Sequence, residues 1–336
     1  MKTTEAITRL AAVPRFQFGF YPTPIEELAR LRQVLHAEVG ACPRLFIKRD
    51  DYTGAGLGGN KVRKLEYVLA QAVADGVDVA LTMGGEKSNH ARATAMLCAR
   101  LGLRCILVLN CAAAVPPNLK PASFFVDEMV GAEIHLVNSR AERMTRFAEI
   151  ATQLRADGKR VAEIPLGASV PLGALGFVRA MQEATAQLAA MAVQPNYLFH
   201  ASSSGGTQAG LLAGCQLTGQ EQLQVIGVSP DDSSASIAAG VSEIVQGIHQ
   251  LLGSSALPST QVTVLDEYVG PGYGLDSPAS RAALQLLART EGLLLDPVYT
   301  AKAMAALLDW VRQGKLTAND TVLFWHTGGQ LALFYV

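Results

Sequence analysis

The sequence predicts an α/β protein in which mostly parallel sheets are flanked by helices. Three observations carry that prediction. Short apolar runs alternate with longer stretches of helical periodicity along most of the 336 residues. Four of the junctions are rich in small residues: GGNK at 58–61, GGEKSNHAR at 84–92, SSSGGTQAG at 202–210 and HTGG at 326–329. No period of 20–50 residues recurs, which excludes a solenoid. Strands alternating with helices lie parallel, with the helices on both sheet faces, and ligands gather where a strand's C-terminal end hands over to a loop and helix.

The first element of the motif-bearing region opens at GGNKVRKLEY, 58–67, where Asn60 serves as a helix N-cap. Leu65, Val68, Leu69, Ala72 and Val73 follow at helical spacing. Strands are expected over 79–83, 105–109, 133–137, 160–164, 197–200, 225–228 and 322–325, each a short apolar run. Helices are expected over 89–101, 139–156, 172–191, 206–217, 236–252, 277–290 and 300–313.

Charge and composition restrict the function. With 49% hydrophobic residues, 17% charged residues and a net charge of -1, the chain has ample core and no global attraction for nucleic acid or anionic membrane. Its five cysteines form no CxxC pair and sit mostly in apolar stretches, and no metal site is expected. The N-terminus has no apolar signal core. Residues 184–220 carry no charged side chain, yet Gln, Asn, Pro and a Ser/Gly run rule out a lipid-facing helix there. The expectation is a soluble cytoplasmic protein. Low charge and high apolar content point further to a homodimer.

One local feature resists a purely structural reading. Lys61, Arg63 and Lys64 crowd the first turn of a helix, whose positive end disfavours cations. Lys61 and Lys64 also share a face and repel. Downstream, the loop Ser202, Ser203, Ser204, Gly205, Gly206, Thr207 precedes an apolar helix, as a phosphate cradle does. It lacks GxGxxG spacing, so no dinucleotide fingerprint is present. GGEKS fails as a P-loop, because Glu86 stands where glycine is required and Leu81 replaces the first glycine. A phosphate would neutralise Lys64, and an aldehyde joined to Lys61 would remove its charge. Pyridoxal phosphate supplies both groups. The rival is a solvated basic helix end with its stems lying over apolar surface.

GGNKVRKLEY, SNHARAT, PLGALGF, SGGTQAGL, GPGYG, LDPVYTAKAM and HTGG together resemble, in order and spacing, the D-cysteine desulfhydrase and 1-aminocyclopropane-1-carboxylate deaminase family. The likeness runs from PRFQFGFYPTP to the C-terminus. It implies the two-domain tryptophan-synthase-β-like fold (type II) of pyridoxal phosphate enzymes. The expected division is a larger domain of residues 1–63 and 173–336 and a smaller one of 64–172, with pyridoxal 5'-phosphate in the cleft between them. The resemblance makes Lys61 the imine-forming lysine and Lys64 a phosphate partner. It gives the loop 202–207 to the phosphate and Asn89 to the ring hydroxyl. It places Ser88 at the substrate carboxylate or the reacting carbon, and makes Tyr273 and Tyr299 the two active-site tyrosines. Substrate binding then falls to Asn60, Lys87, Ser88, Asn89 and His90.

Two positions separate the branches of that family. The deaminases resemble DPVYE and HLGG, with the glutamate on the pyridine nitrogen, whereas this chain has Thr300 and Thr327, as the desulfhydrases do. A neutral partner suffices for a β-leaving group, while opening a cyclopropane needs the stronger electron sink. The expected reaction is α,β-elimination on a small amino acid, D-cysteine giving pyruvate, ammonia and sulfide. The alternatives are an L-cysteate sulfo-lyase, an aminocyclopropane-carboxylate deaminase and a non-catalytic cofactor-binding protein. Lys87 replaces a glutamine usual in the family. It either meets an anion such as a sulfonate, or pairs with Glu86 or points to solvent, the second being preferred.

Overall fold

Ten strands form two sheets in the computed structural model, which describes residues 2–111, 119–254 and 262–334. In chain order they are β1 (Ile25–Glu27), β2 (Arg44–Arg49), β3 (Val79–Gly85), β4 (Arg104–Asn110), β5 (Glu133–Val137), β6 (Val161–Ile164), β7 (Tyr197–Ala201), β8 (Gln224–Val228), β9 (Thr263–Leu265) and β10 (Thr321–His326). The smaller sheet runs β5-β4-β3-β6 and is wholly parallel. The larger runs β1-β2-β10-β7-β8-β9 and is parallel except for β1, which pairs antiparallel with β2.

Strand periodicity assigns each face its helices. Ala80, Cys105, Leu107 and Leu109 pack on the helices Asn60–Ala74 and Asn89–Leu101, while Val79, Leu81, Ile106 and Val108 pack on Arg140–Ala156. In the larger sheet Phe46, Leu198, Val225 and Trp325 meet the helices Pro171–Ala190, Gly206–Leu217 and Ser234–Leu252. Ile47, Phe199, Ile226 and Phe324 meet Ala29–Val39, Pro278–Glu291 and Thr300–Arg312. Every central strand is therefore buried on both sides, as parallel sheets require. The helix Asn60–Ala74 lies along the seam: Tyr67 joins one core, and Val62, Leu65 and Leu69 join another.

All seven expected strands and the eight expected helices form. The expectations omitted the strands β1, β2 and β9 and the helices Lys2–Ala12, Ala29–Val39 and Ala122–Met129. β2 is the instructive omission. Its sequence RLFIKR is framed by cations, yet it sits between β1 and β10, with Lys48 fully buried. Lys48 Nζ donates to Glu183 at 2.5 Å, to Gln187 at 2.6 Å and to the Thr23 carbonyl at 2.8 Å. A central strand tolerates that charge only because partners on the helix Pro171–Ala190 satisfy it. Among the described residues no helix is long and apolar enough to cross a membrane. The five cysteines are free, four of them buried, and only Cys111 is exposed.

Candidate active site

The C-terminal ends of β3, β4 and β6 face those of β7, β8 and β10, and the glycine-rich junctions meet between them. Two of these loops touch backbone to backbone. Asn60 N–H donates to the Thr327 carbonyl at 3.0 Å, and a Cβ on Gly328 would lie 2.7 Å from the Gly59 Cα. Only glycine permits that approach. Asn60 Nδ2 then donates to Thr207 Oγ1 at 3.0 Å, tying the first junction to the serine loop.

The resulting cavity is lined by Asn60, Lys61, Lys64, Asn89, Ser202, Ser203, Ser204, Gly205, Thr207, Tyr299 and Thr327. Gly205, at φ +78°, turns the chain into the helix Gly206–Leu217, whose first-turn N–H groups have no intrahelical acceptor. Lys64 is buried and donates to the Gly167 carbonyl (3.1 Å) and Ser169 Oγ (3.0 Å). Ser169 Oγ also meets Ser204 Oγ at 2.7 Å and accepts from Gly206 N at 3.2 Å. Burial pulls the Lys61 amine down to about 8. Burial and then the neighbouring Lys61 charge hold Lys64 well below the usual lysine range. Neither ammonium has a carboxylate within ion-pair distance among the described residues, and the buried Ser202 hydroxyl has no partner. A phosphate-bearing aldehyde fits this set, because the phosphate would take the unanswered hydroxyl, the first-turn N–H groups and the Lys64 charge.

A second cavity, of about 130 Å³, opens from the first and shares Lys61 and Tyr299 with it. Ser88, His90, Asn110, Arg143 and Tyr273 complete its active face. Ser88 caps the helix Asn89–Leu101, its Oγ accepting from Ala91 N at 3.2 Å. The Tyr273 and Tyr299 hydroxyls are 2.5 Å apart. Burial pushes Tyr273 up to about 12 and holds Tyr299 well above the usual phenol range, so both are neutral at physiological pH. Thr82 Oγ1 donates to the Ile164 carbonyl at 2.7 Å and so accepts from His90 Nε2 at 2.8 Å. His90 is therefore the neutral Nε2–H tautomer, its pKa held down by burial and then by Lys61 and Lys64. Among the described residues its buried Nδ1 has no partner.

The structure separates some residues that the sequence grouped. Thr327 lines the first cavity, but Thr300 does not. The Thr300 hydroxyl donates to Asp296 Oδ1 at 2.6 Å and accepts from Asp296 N at 2.7 Å, closing a local turn. Gly206 stands behind the loop, bonded through its N–H to Ser169 Oγ. Lys87 is buried rather than solvated, and opens onto an adjoining cavity with Glu86, Asn110, Arg140 and Tyr273.

Sequence reasoning missed Gly167, Ser169, Asn110, Arg140, Arg143 and Asp231, all of them lining residues or partners of lining residues. One signal was available. Arg143 shares the buried face of its helix with Phe147, Ile150, Ala151 and Leu154, at the helical spacing that places a cation on an apolar stripe.

Comparison with known proteins agrees with this geometry. Residues 16–328 match the family described as pyridoxal-phosphate dependent enzymes. A D-cysteine desulfhydrase of Yersinia pestis (strain Pestoides F) is 38% identical over 332 residues, covering 97% of each chain. The solved structure of an ACC deaminase homologue superposes with TM-score 0.87 at 33% identity, over 98% of this chain and 96% of that one. A diaminopropionate ammonia lyase from Escherichia coli shares the fold alone, with TM-score 0.67 at 16% identity, over 99% of this chain and 88% of that one. With an unpaired buried lysine pair beside a hydroxyl-lined helix start, and a family match across nearly its whole length, the chain belongs to the pyridoxal-phosphate dependent enzymes of fold type II, and pyridoxal 5'-phosphate is its cofactor.

Proposed function

We propose that the chain is a lyase that converts D-cysteine and one water into pyruvate, ammonia and sulfide. The carrying observation is that Lys61, Ser88, Tyr273 and Tyr299 line one small cavity, with the Lys61 amine near pKa 8 and both tyrosines neutral. The kinship with a D-cysteine desulfhydrase supports the substrate. The bound cofactor would supply an electron sink that weakens the bonds at the substrate's α-carbon. Lys61 would hold the cofactor at rest and yield its place to the substrate amine. Its freed amine then removes the α-proton, because a base with pKa near 8 is largely unprotonated just above that pH. Tyr273 and Tyr299, too weakly acidic to act as anionic bases, share one hydrogen bond and donate a proton toward the departing sulfur. Ser88 and the N–H groups at its helix start seat the α-carboxylate. Lys64, Ser202, Ser203, Ser204, Gly205 and Thr207 hold the phosphate, Asn89 orients the ring, and Thr327 offers the pyridine nitrogen a neutral partner.

The same reading takes residues 1–63 with 173–336 as the larger domain and 64–172 as the smaller, the seam following the helix Asn60–Ala74. A homodimer is supported by four exposed apolar side chains, Leu119, Phe125, Met129 and Phe334, gathered where the helix Ala122–Met129 packs on residues 330–333. Free thiols throughout support a reducing, cytoplasmic setting.

Pyruvate release from D-cysteine, L-cysteine and β-chloroalanine, compared with 2-oxobutanoate release from aminocyclopropane carboxylate, tests the proposal. D-Cysteine and β-chloroalanine should lead. Faster 2-oxobutanoate release would assign the ring-opening reaction instead.

A further inference from the structure

A cavity of about 310 Å³ lies apart from those of the reaction and, among the described residues, shares no lining residue with them. Arg15 enters it from the chain after the helix Lys2–Ala12, Glu66 and Tyr67 from the helix Asn60–Ala74, and Arg179, Gln182 and Glu183 from the helix Pro171–Ala190. Where the last two helices meet, a Cβ on Gly176 would collide with the Arg63 carbonyl oxygen, so backbone packs on backbone and holds the walls in place. The acids of this cavity are already answered. Glu66 accepts from Arg15 at 2.6 Å, from the N–H groups of Phe18 and Gly19 at 2.9 Å each, and from Tyr21 at 3.1 Å. Glu183 accepts from Lys48 at 2.5 Å and from Arg63 at 3.0 and 3.1 Å. The donors are not answered. Among the described residues Arg179 has no carboxylate within ion-pair distance. Tyr67 is 1% exposed, and among the described residues its hydroxyl has no hydrogen-bond partner. Burial raises the Tyr67 pKa, and the nearby Arg179 and Arg15 charges oppose that rise. A buried hydroxyl without a partner is destabilising by itself.

We infer that this cavity is a second ligand site, which takes a small organic anion through one carboxylate or phosphate group held by Arg179 and the Tyr67 hydroxyl. The guanidinium fork matches either group in bidentate fashion, and the phenol supplies a further donor. Arg15 keeps donors beyond the one that Glu66 takes, and Gln182 adds an amide. A cation is excluded as the occupant, because it would have to displace Arg15 or Lys48 from its carboxylate. The volume is that of a small-molecule site rather than of a bare ion. The inference is independent of the lyase reading, since neither Arg179 nor Tyr67 lines the reaction cavities.

The test is calorimetry on the holoenzyme at fixed ionic strength, with malonate and inorganic phosphate as probes. At least one should bind saturably, and the ratio of the two Kd values identifies the preferred group. Arg179→Gln should raise the Kd about 10–100-fold, as loss of one charge-assisted contact implies, and Tyr67→Phe should raise it about 2–10-fold. Arg179→Lys, which keeps the charge without the fork, should recover part of the loss. Cofactor absorbance and thermal midpoint without probe should hold in all three variants, which separates binding from folding. Absence of saturable binding by either probe overturns the inference. Binding that Arg179→Gln leaves unchanged overturns it equally, and a loss in Ser88→Ala would then place the anion in the reaction cavity. If Arg179→Gln instead lowers the molecular mass in sedimentation, Arg179 meets a second copy of the chain, and the inference fails.

Discussion

Arg63 and Lys64 are neighbours in sequence, yet they face opposite kinds of surroundings. Arg63 turns toward Asp50, donating from Nε and Nη2 at 2.8 Å each, and toward Glu183 at 3.0 and 3.1 Å. Asp50 also accepts from Trp325 Nε1 at 2.8 Å and Thr23 at 2.9 Å. Burial drives the Asp50 pKa up, but Arg63 and its other donors hold it below the ordinary carboxylate value. Lys64 lines the first cavity with Lys61, and among the described residues it donates to a carbonyl and a hydroxyl and has no carboxylate partner. One buried region is electrostatically complete and the other is not. The complete one holds the fold together; the incomplete one has the donor set that suits a phosphate-bearing aldehyde. Buried charge therefore identifies the site only when its partners are counted.

The strongest test of that contrast removes the group on the incomplete side that does chemistry. Lys61→Ala should lower kcat/KM by about 10²–10⁴-fold, the range of a lost general base, while the protein still folds. Borohydride reduction of the unmodified holoenzyme should fix the cofactor covalently onto Lys61, and a label on another lysine in the peptide map would end the assignment. On the complete side, Asp50→Asn should lower stability by about 3–5 kcal/mol, because it leaves Arg63 buried without its main partner. Urea unfolding of the apoprotein measures this, and a loss below about 1 kcal/mol would erase the difference between the two regions.

A pH series sharpens the comparison. Lys61 titrates near 8 in the folded protein against 10.5 for an ordinary exposed lysine, so between those values the unfolded chain binds the extra proton. Stability of the apoprotein from this group therefore rises with pH across that window, and the penalty is full below it. The stabilisation gained by Lys61→Met should be largest at pH 7–8 and shrink by pH 10. A gain independent of pH would mean that the amine is not depressed. The smallest effect is expected at the unpartnered hydroxyl: Ser202→Ala should weaken cofactor binding about 2–10-fold, the worth of one hydrogen bond. Titration of the apoenzyme with the cofactor reads this, and no change would remove Ser202 from the phosphate site.

The sequence by itself determined the α/β class, because apolar alternation and helical periodicity are local and survive without knowledge of partners. It also determined the inner cavity to a large degree. Lys61, Lys64, Asn89, the 202–207 loop and Thr327 occur within motifs whose glycines and cations make poor sense as plain helix starts. Only the tertiary structure decided which groups were answered. It buried Lys48 in a strand whose charges had concealed it, because Glu183 and Gln187 arrive from a distant helix. It closed the Thr300 hydroxyl onto Asp296, although Thr300 and Thr327 look equivalent in sequence. It also brought Gly167, Ser169, Asn110 and Arg143 to the cavities from separate strand ends and one helix face. The reason is physical. Propensity and periodicity are encoded over a few residues, whereas the satisfaction of a buried charge depends on groups far along the chain that meet only after the two sheets have formed.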